Sequence, residues 1–220
     1  MTFRGWPQDA LDFYVGLEAD NSKGYWQAHK QTYDECVKAP FLALSEAIEG
    51  EFGALHVFRP NRDVRFAKDK SPYKTAAAAV TESAGGAAYY VQISSEGLYV
   101  GSGYYHLASD QLERYRAAVA DAKSGPKLAA AVGALRKNRY EVAAREALQR
   151  APRGYPVDHP RVDLLRMKGM HVGRAYGAPA WVHTARSLDR IVTAWRDAAV
   201  ANRWLDKYVG PSTIAPPEPD

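Results

Sequence analysis

Residues 88–101 read Ala-Tyr-Tyr-Val-Gln-Ile-Ser-Ser-Glu-Gly-Leu-Tyr-Val-Gly, and this stretch decides which fold class the sequence predicts. Two runs rich in β-branched and aromatic residues, 88–94 and 98–101, flank the turn-forming triplet 95–97, Ser-Glu-Gly, which is the pattern of a β-hairpin. Strands joined by so short a turn are antiparallel, because parallel neighbours need a long crossover between them. The stretch therefore predicts an antiparallel sheet and argues against a doubly wound parallel one.

Further short strands are predicted on both sides of this hairpin. Residues 55–59 and 62–67 are expected to form an earlier hairpin around a turn at Pro60-Asn61. In the second of these strands, alternation places Val64 and Phe66 on one face and charged residues on the other. Consecutive short strands joined by tight turns are typical of a meander. Extended segments are also predicted over 76–81, 140–142 and 170–175.

Helical patterns occupy both ends of the chain and much of its second half. Pro7 and Pro40 suit the first turn of a helix, where the missing N–H is not needed, and Asn21 or Ser22 suits an N-cap. The last strong pattern, over 184–201, has one apolar face. The predicted helices span 6–18, 21–38, 40–52, 109–123, 124–137, 144–150, 162–168 and 184–201.

These elements predict an α+β protein with one domain over residues 1–210. In this domain helices pack on a meander-like antiparallel sheet, and the N- and C-terminal segments are helical. No repeat and no linker-like stretch divides the sequence. Residues 211–220 are proline-rich and acidic, so they are predicted to form a flexible tail.

Positive charge is concentrated in residues 59–75, Arg-Pro-Asn-Arg-Asp-Val-Arg-Phe-Ala-Lys-Asp-Lys-Ser-Pro-Tyr-Lys-Thr, which we term the basic segment. It holds six Lys or Arg residues and two Asp residues. Because the whole chain holds 29 basic and 25 acidic residues, the remainder carries 23 of each, and the formal net charge of +4 resides in the basic segment. Such a patch suits one or two phosphates or a carboxylate and is too small for the footprint of a long duplex.

Arg62, Arg65 and Lys74 are the candidate anion ligands of this segment. An arginine offers a planar fork of donors and a lysine offers a mobile point charge, a combination that suits phosphate or carboxylate. Asp63 lies two residues before Arg65, so it could orient that guanidinium or act as a base. The alternative is structural, with Asp63 and Arg65 simply pairing with each other on the sheet.

Two further residues complete the predicted site. Tyr73 adjoins Lys74 and is expected to flank the ligand, whereas Lys168 lies in a second basic stretch and would have to meet the first in space. Arg65 is predicted to be semi-buried, so that it needs a partner. Lys70 is expected to be a solvated loop residue.

Several function classes lack their sequence signatures. The six histidines are scattered without metal-binding spacing, and there is no phosphate-binding loop, dinucleotide fingerprint or serine-nucleophile frame, so no metal and no cofactor are predicted. No stretch has the pattern of a membrane span or a signal peptide. The single cysteine, Cys36, agrees with a reducing compartment, and we expect a cytoplasmic protein that does not bind membranes.

Arg62-Asp63-Val64-Arg65-Phe66 and Lys70-Ser71-Pro72-Tyr73-Lys74-Thr75 resemble the signature of a bacterial and fungal family known as domain of unknown function 2461. The start of the second predicted helix, over residues 21–26, departs slightly from the family pattern. The resemblance implies a single α+β domain, and the family brings no established activity with it. Other matching positions, spread over residues 9–205, include Tyr33, Pro40, Gly101-x-Gly103-Tyr104 and Pro152-x-Gly154-Tyr155.

Three functional hypotheses follow. The first is the binding of a small anionic ligand, carrying phosphate or carboxylate, by the basic segment. The second is an interaction module for an acidic protein segment or single-stranded nucleic acid, whose bases would stack on Tyr73, Tyr89, Tyr90, Tyr104 and Tyr105. Strand neighbours such as Tyr89 and Tyr90 point to opposite faces, so these two cannot form one stacking platform. The third is an enzyme of unidentified reaction that uses Asp63, Arg65 and Lys74.

Overall fold

The computed structural model describes residues 2–65, 68–82 and 86–214. Its strands are β1 (His56–Val57), β2 (Ala76–Glu82), β3 (Ala88–Ser94), β4 (Gly97–Tyr104), β5 (Glu141–Ala143) and β6 (Met170–Gly177). They form a six-stranded antiparallel sheet in the order β1-β2-β3-β4-β6-β5, with helices packed around it. The predicted α+β class is confirmed.

Helices account for most of the remaining regular structure. A π-helix over Tyr33–Lys38 joins two α-helices, and a 3-10 helix covers Ala180–His183. None of the helices in the described part of the chain combines the length and the apolar character that a membrane span requires. The α-helices are α1 (Gln8–Ala19), α2 (Lys23–Ala28), α3 (Lys30–Thr32), α4 (Ala39–Phe52), α5 (Ser109–Ala120), α6 (Gly125–Lys137), α7 (Val162–Leu165) and α8 (Arg186–Tyr208).

The hairpin predicted over residues 88–101 is present as β3 and β4, joined by a turn at Ser95-Glu96. Together with β1 and β2 it forms the predicted meander, because these four strands are neighbours in chain order. The last two strands break that order, since β6 lies between β4 and β5.

The other predicted hairpin, between residues 55–59 and 62–67, is wrong. β1 pairs with β2 instead, and residues 62–65 form no strand. Residues 66 and 67 of the predicted strand lie outside the described ranges. Three of the six residues of the predicted strand are charged, so it has little apolar surface to bury against a sheet.

The two ends of the basic segment are instead paired with each other. Arg62 N donates to Pro72 O at 2.9 Å, and Lys74 N donates to Pro60 O at 2.8 Å. The charged residues between these pairs form a loop. Its exposed position lets the charges remain hydrated, whereas burial in a sheet would require each of them to find a partner.

The sequence predicts two helices that meet at Pro40, and the structure has one continuous helical run from Lys30 to Phe52. The π-helix before the proline explains the difference, because Ala39 N donates to Asp34 O, five residues back. In a regular α-helix a proline ring clashes with the carbonyl four residues earlier, and a wider π-helical turn relieves that crowding.

The helix predicted over residues 144–150 does not form, although all of these residues are described. Leu148 N donates to Arg166 O at 2.9 Å, and Lys168 N donates to Glu146 O at 2.9 Å. The stretch is therefore paired with the chain after α7. That pairing satisfies backbone groups that a helix would otherwise have satisfied, so tertiary contact overrides local preference.

The chain divides into two compact units. In the first, Trp6 and Phe41 are buried with their ring centroids 5.0 Å apart. In the second, Tyr115 is fully buried and its hydroxyl donates to Leu164 O. The prediction of a single domain over residues 1–210 stays a prediction. The first unit contains the chain up to Thr81 with residues 89–100 and 175–194, and the second contains residues 82–88, 101–174 and the chain from Trp195.

Residues 211–214, the first part of the predicted tail, are held within the second unit. Asp110, in the first turn of α5, accepts hydrogen bonds from Ser212 Oγ and Thr213 N, each at 2.8 Å. Arg114 donates to Pro211 O at 2.7 Å. Residues 215–220 lie outside the described ranges, and the flexibility of the tail stays a prediction.

Candidate anion-binding groove

A groove of about 700 Å³ lies in the first unit. One wall, which we term the helical wall, comes from α2, α3 and the π-helix, and the other comes from β1 and the residues that follow it. Lys74, near the far end of the basic segment, completes the lining. The lining residues are Trp26, Lys30, Tyr33, Asp34, Lys38, His56, Val57, Phe58, Arg59, Pro60, Asn61 and Lys74.

The helical wall carries charged residues at four-residue intervals. Lys30 pairs with Asp34 one turn away. Lys38 follows at the end of the π-helix, and it makes no ion pair with any residue that the structure describes. This wall therefore offers one cation that is neutralised by an ion pair, Lys30, and one that is not, Lys38. The π-helix that carries Lys38 is also notable because single π-helical turns are rare and are often found at functional sites.

On the opposite wall, the Lys74 side chain contacts both Arg59 and Phe58. Its ammonium donates to Arg59 O at 2.9 Å and lies 5.5 Å from the centre of the Phe58 ring. Phe58 is 36% exposed, so the groove has apolar ring surface beside its charges. Arg59 is exposed, and over residues 2–65, 68–82 and 86–214 its guanidinium forms no ion pair within 4 Å, although its charge contributes to lowering the pKa of Asp63.

A stack of two aromatic rings underlies the groove. Trp26 lies almost parallel to Tyr73, with ring centroids 4.2 Å apart and planes at 12°. Asn21 fixes this arrangement, because its amide donates to Tyr73 O at 3.0 Å and accepts from Tyr73 N at 3.1 Å. Ser22 caps α2 by accepting from Tyr25 N at 3.1 Å. The beginning of α2 is thus bound directly to the basic segment.

The electrostatic balance of the groove favours an anion. Burial, and to a smaller degree Asp34, raises the pKa of Tyr33 to about 12. Tyr33 is therefore protonated at neutral pH, and its hydroxyl is able to donate a hydrogen bond. Four cations, Lys30, Lys38, Arg59 and Lys74, line the groove with one carboxylate, Asp34, and their formal sum is +3.

Three of the predicted ligand residues, Arg62, Asp63 and Arg65, do not line this groove. Arg62 pairs with Asp69, and Arg65 Nη2 lies 2.8 Å from Asp63 Oδ2. The Arg65 side chain is 69% exposed, so the prediction of a semi-buried guanidinium is wrong. The expected orientation of Arg65 by Asp63 is present, but it occurs within a loop and not across a strand.

Asp63 has little of the character of a general base. Its pKa is lowered to about 2, chiefly because the carboxylate accepts side-chain hydrogen bonds from Arg65. A carboxylate with so low a pKa is a weak proton acceptor at neutral pH. Among the described residues, no group of three His, Cys, Asp or Glu side chains is arranged to hold a metal ion. The low pKa of Asp63 gives no support to an enzyme that would use this carboxylate as its base.

The remaining predicted site residues lie in different places. Lys74 lines the groove, and Tyr73 lies beneath it as the partner of Trp26. Lys168 belongs to the second unit, where its ammonium lies 3.2 Å from a carboxylate oxygen of Glu146. The structure therefore brings Lys74 and Arg59 of the basic segment into one groove and leaves the charges in its middle paired on the surface.

Sequence reasoning missed the contribution of the helical wall. Trp26, Lys30 and Tyr33 recur at three- and four-residue spacing, which indicates a shared face. Extending that series to Asp34 and Lys38 would have revealed a charged stripe. The sequence gives no signal that this stripe faces β1, because the two are separated along the chain by the whole of α4.

Tyrosines expected to stack on nucleic-acid bases are mostly engaged within the protein. Tyr73 is buried against Trp26, and Tyr104 is buried with its hydroxyl donating to Asp206 at 3.0 Å. Tyr105 is exposed. The described structure therefore offers little support for a row of stacking platforms.

The protein thus has an α+β fold and carries a basic, partly aromatic groove. The family described as Conserved hypothetical protein (DUF2461) matches residues 9–204. The chain belongs to this family, as the motifs around Arg62 and Lys74 predict. No curated protein matches the chain significantly, and no solved structure does so either.

Proposed function

We propose that this protein binds an anionic ligand, carrying phosphate or carboxylate groups, in the groove between the helical wall and β1. The observation that carries the proposal is that Lys38 and Arg59, which make no ion pairs within the described structure, line the same groove. Cations that share a concave surface attract a ligand of opposite charge. A cytoplasmic location belongs to the same proposal, because a single cysteine suits a reducing compartment.

The size of the groove supports a ligand larger than an inorganic ion. Its volume of about 700 Å³ falls within the range of roughly 300–1,000 Å³ that is usual for small-molecule sites. Phe58 and Trp26 add aromatic surface beside the charges. A ligand with both an apolar part and anionic groups would use the whole lining.

Each polar residue has a role in this proposal. Arg59 offers a fork of donors and Lys38 a mobile point charge, and neither has to break an ion pair in order to bind. Lys74 is held by Arg59 O, so it contributes charge from a fixed position. Asp34 neutralises Lys30 and thereby limits how many anionic groups the groove attracts.

A thermal-shift and calorimetry screen with citrate, inorganic phosphate and adenosine monophosphate tests the proposal. A ligand that binds only the native state stabilises it by about 2.7 kcal/mol at one hundred times its dissociation constant. We expect at least one of these anions to raise the unfolding temperature in a concentration-dependent way. Loss of one charge-assisted contact should weaken binding about tenfold in Lys38→Ala and in Arg59→Ala.

Lys70→Ala is the matched control, because Lys70 is an exposed lysine of the same basic segment that does not line the groove. It should bind the same anions with wild-type affinity. Equal weakening in all three variants would mean that diffuse charge, and not the groove, attracts the anion. No shift with any of the probes would overturn the proposal.

A further inference from the structure

The outer edge of β1 carries backbone groups that the fold does not use. Phe58 N donates to Ala78 O at 2.9 Å, and Val57 lies opposite Ala79 in the register with β2. Residues of an antiparallel pair alternate between hydrogen-bonded and non-hydrogen-bonded positions, so Val57 directs its N–H and its C=O away from β2. Within the described residues neither group has a hydrogen-bond partner.

This open edge belongs to the groove. β1 is the terminal strand of the sheet, and Val57 is one of the lining residues. The next outward position toward the N-terminus is closed, since Leu55 N donates to Ser45 Oγ at 2.8 Å. The available edge therefore consists of the N–H and the C=O of Val57, and it ends at Arg59, whose carbonyl accepts from the Lys74 ammonium at 2.9 Å.

The charges that line the groove include one carboxylate, Asp34, which is already paired with Lys30. An acidic segment would therefore meet Lys38 of the helical wall together with Arg59 and Lys74 of the opposite wall, which make no ion pair with any residue that the structure describes.

We infer that the groove accepts an extended acidic segment of a partner protein, which adds to the sheet as a strand beside β1 and directs alternate Asp or Glu side chains at Lys38, Arg59 and Lys74. The inference rests on the proposed function and identifies the anionic groups as side-chain carboxylates. Strand addition takes affinity from main-chain hydrogen bonds and specificity from alternate side chains.

A peptide is favoured over a compact anion because it engages both the cations and the open backbone groups of the groove. Citrate or a nucleotide satisfies the cations, but it has no regular backbone with which to pair the N–H and the C=O of Val57. An acidic extended segment pairs with both. The formal charge of +3 on the groove also suits several separate carboxylates better than one.

Fluorescence anisotropy with end-capped peptides tests the inference. The probe contains Glu-Val-Glu-Val-Glu, and its control contains Gln-Val-Gln-Val-Gln, so the two differ in side-chain charge and share a backbone. We expect the Glu peptide to bind at least tenfold more tightly than the Gln peptide. Lys38→Ala and Arg59→Ala should each weaken its binding about tenfold, whereas Lys70→Ala should leave it unchanged.

Val57→Pro tests the backbone contact separately from charge. Proline removes the outward N–H of residue 57, is tolerated at an edge strand whose N–H faces away from the sheet, and favours the extended geometry that His56 already has. We expect this variant to lose at least tenfold in affinity for the Glu peptide and to keep wild-type affinity for citrate. Val57→Ala is the matched control and should bind both.

A second measurement does not depend on the folding of the proline variant. In one peptide the three Glu residues carry backbone N-methyl groups, and in another the two Val residues carry them. Alternate residues of a strand direct their N–H groups to opposite edges, so only one of these peptides should lose binding to wild-type protein.

The outcomes separate the inference from the proposed function. If citrate or adenosine monophosphate binds as tightly as the Glu peptide and both methylated peptides bind equally, the groove is an anion site without strand addition and the inference is overturned. Tight binding of a mixed single-stranded oligonucleotide in place of the peptide would also overturn it. If no anion of any kind binds, both the inference and the proposed function fail.

Discussion

Gly103 shows how closely two strands approach within the second unit. Its φ is +131°, and a Cβ atom at this position would lie 2.3 Å from Met170 O. Side chains rarely adopt this backbone conformation, and a carbonyl oxygen of the neighbouring strand cannot move aside cheaply. The glycine is therefore required by both conformation and space.

Gly103→Ala should lower the free energy of unfolding by about 1–3 kcal/mol, because strain and overpacking act together. Gly133→Ala is the matched control: Gly133 lies exposed in α6, and a Cβ added there would have no neighbouring atom within 4 Å. That substitution should raise stability by about 0.5–1 kcal/mol. Urea denaturation of both variants measures the difference, and similar effects of the two would contradict the close approach.

We expect His171 to make the second unit sensitive to acid. Burial lowers its pKa, and Glu141 acts in the opposite direction with a smaller effect. A histidine whose folded pKa lies below its unfolded value of about 6.5 stabilises the protein above that pH and loses this contribution as the pH falls through the folded pKa.

His171→Phe, which keeps a ring near Tyr105, should therefore flatten the fall in unfolding free energy below about pH 6.5. The measurement is denaturant unfolding at intervals from about pH 7.5 to about pH 4.5, a window that brackets the unfolded pKa. Stability that depends on pH identically in the variant and the wild type would show that His171 does not carry the effect.

At the scale of elements, the start of α2 and the basic segment depend on one side chain. Asn21 satisfies both backbone groups of Tyr73, which in turn stacks on Trp26. Asn21→Ala leaves a part-buried N–H and C=O without partners, which costs about 1–3 kcal/mol. It should also weaken anion binding, because Lys74 follows Tyr73 directly. Gln27→Ala, on the exposed side of α2, should change stability by less than about 0.5 kcal/mol.

Hydrogen bonds to Asp110 hold the segment 211–214 against α5. Asp110 accepts from Thr213 N, Thr213 Oγ1 and Ser212 Oγ, and these contacts hold the pKa of Asp110 well below its usual range. Asp110→Asn should speed hydrogen exchange at the Thr213 amide. Glu113→Gln, an exposed change one turn along α5, should not. In the wild type the protection of the Thr213 amide, measured against its intrinsic exchange rate at each pH, should fall below about pH 3.9, because there the carboxylate is protonated in the released state and still ionised in the anchored state.

At the scale of the whole molecule, charge outside the basic segment balances, with 23 residues of each sign. Salt should therefore weaken anion binding chiefly by screening the groove. We expect the affinity for the Glu peptide to fall steeply between about 50 and about 300 mM NaCl in the wild type, and much less in a Lys38→Ala/Arg59→Ala double variant. Parallel salt dependence in the two proteins would place the attraction elsewhere on the surface.

Much of the fold is readable from the sequence because it depends on neighbours along the chain. The hairpin over residues 88–101, the cap at Ser22 and the apolar face of α8 each rest on residues within a few positions of one another. The concentration of charge in the basic segment and the family membership are likewise properties of the sequence alone.

Tertiary structure decided which segments meet. Residues 62–67 have the alternation of a strand, but β2 takes the place beside β1 because it offers a more apolar surface to the core. The groove depends on the same kind of choice, since Lys38 and Arg59 come from separate elements and share one surface after folding. Local pattern sets the direction of a side chain relative to its own element, whereas the free energy of burying apolar surface across the whole chain determines which element it faces.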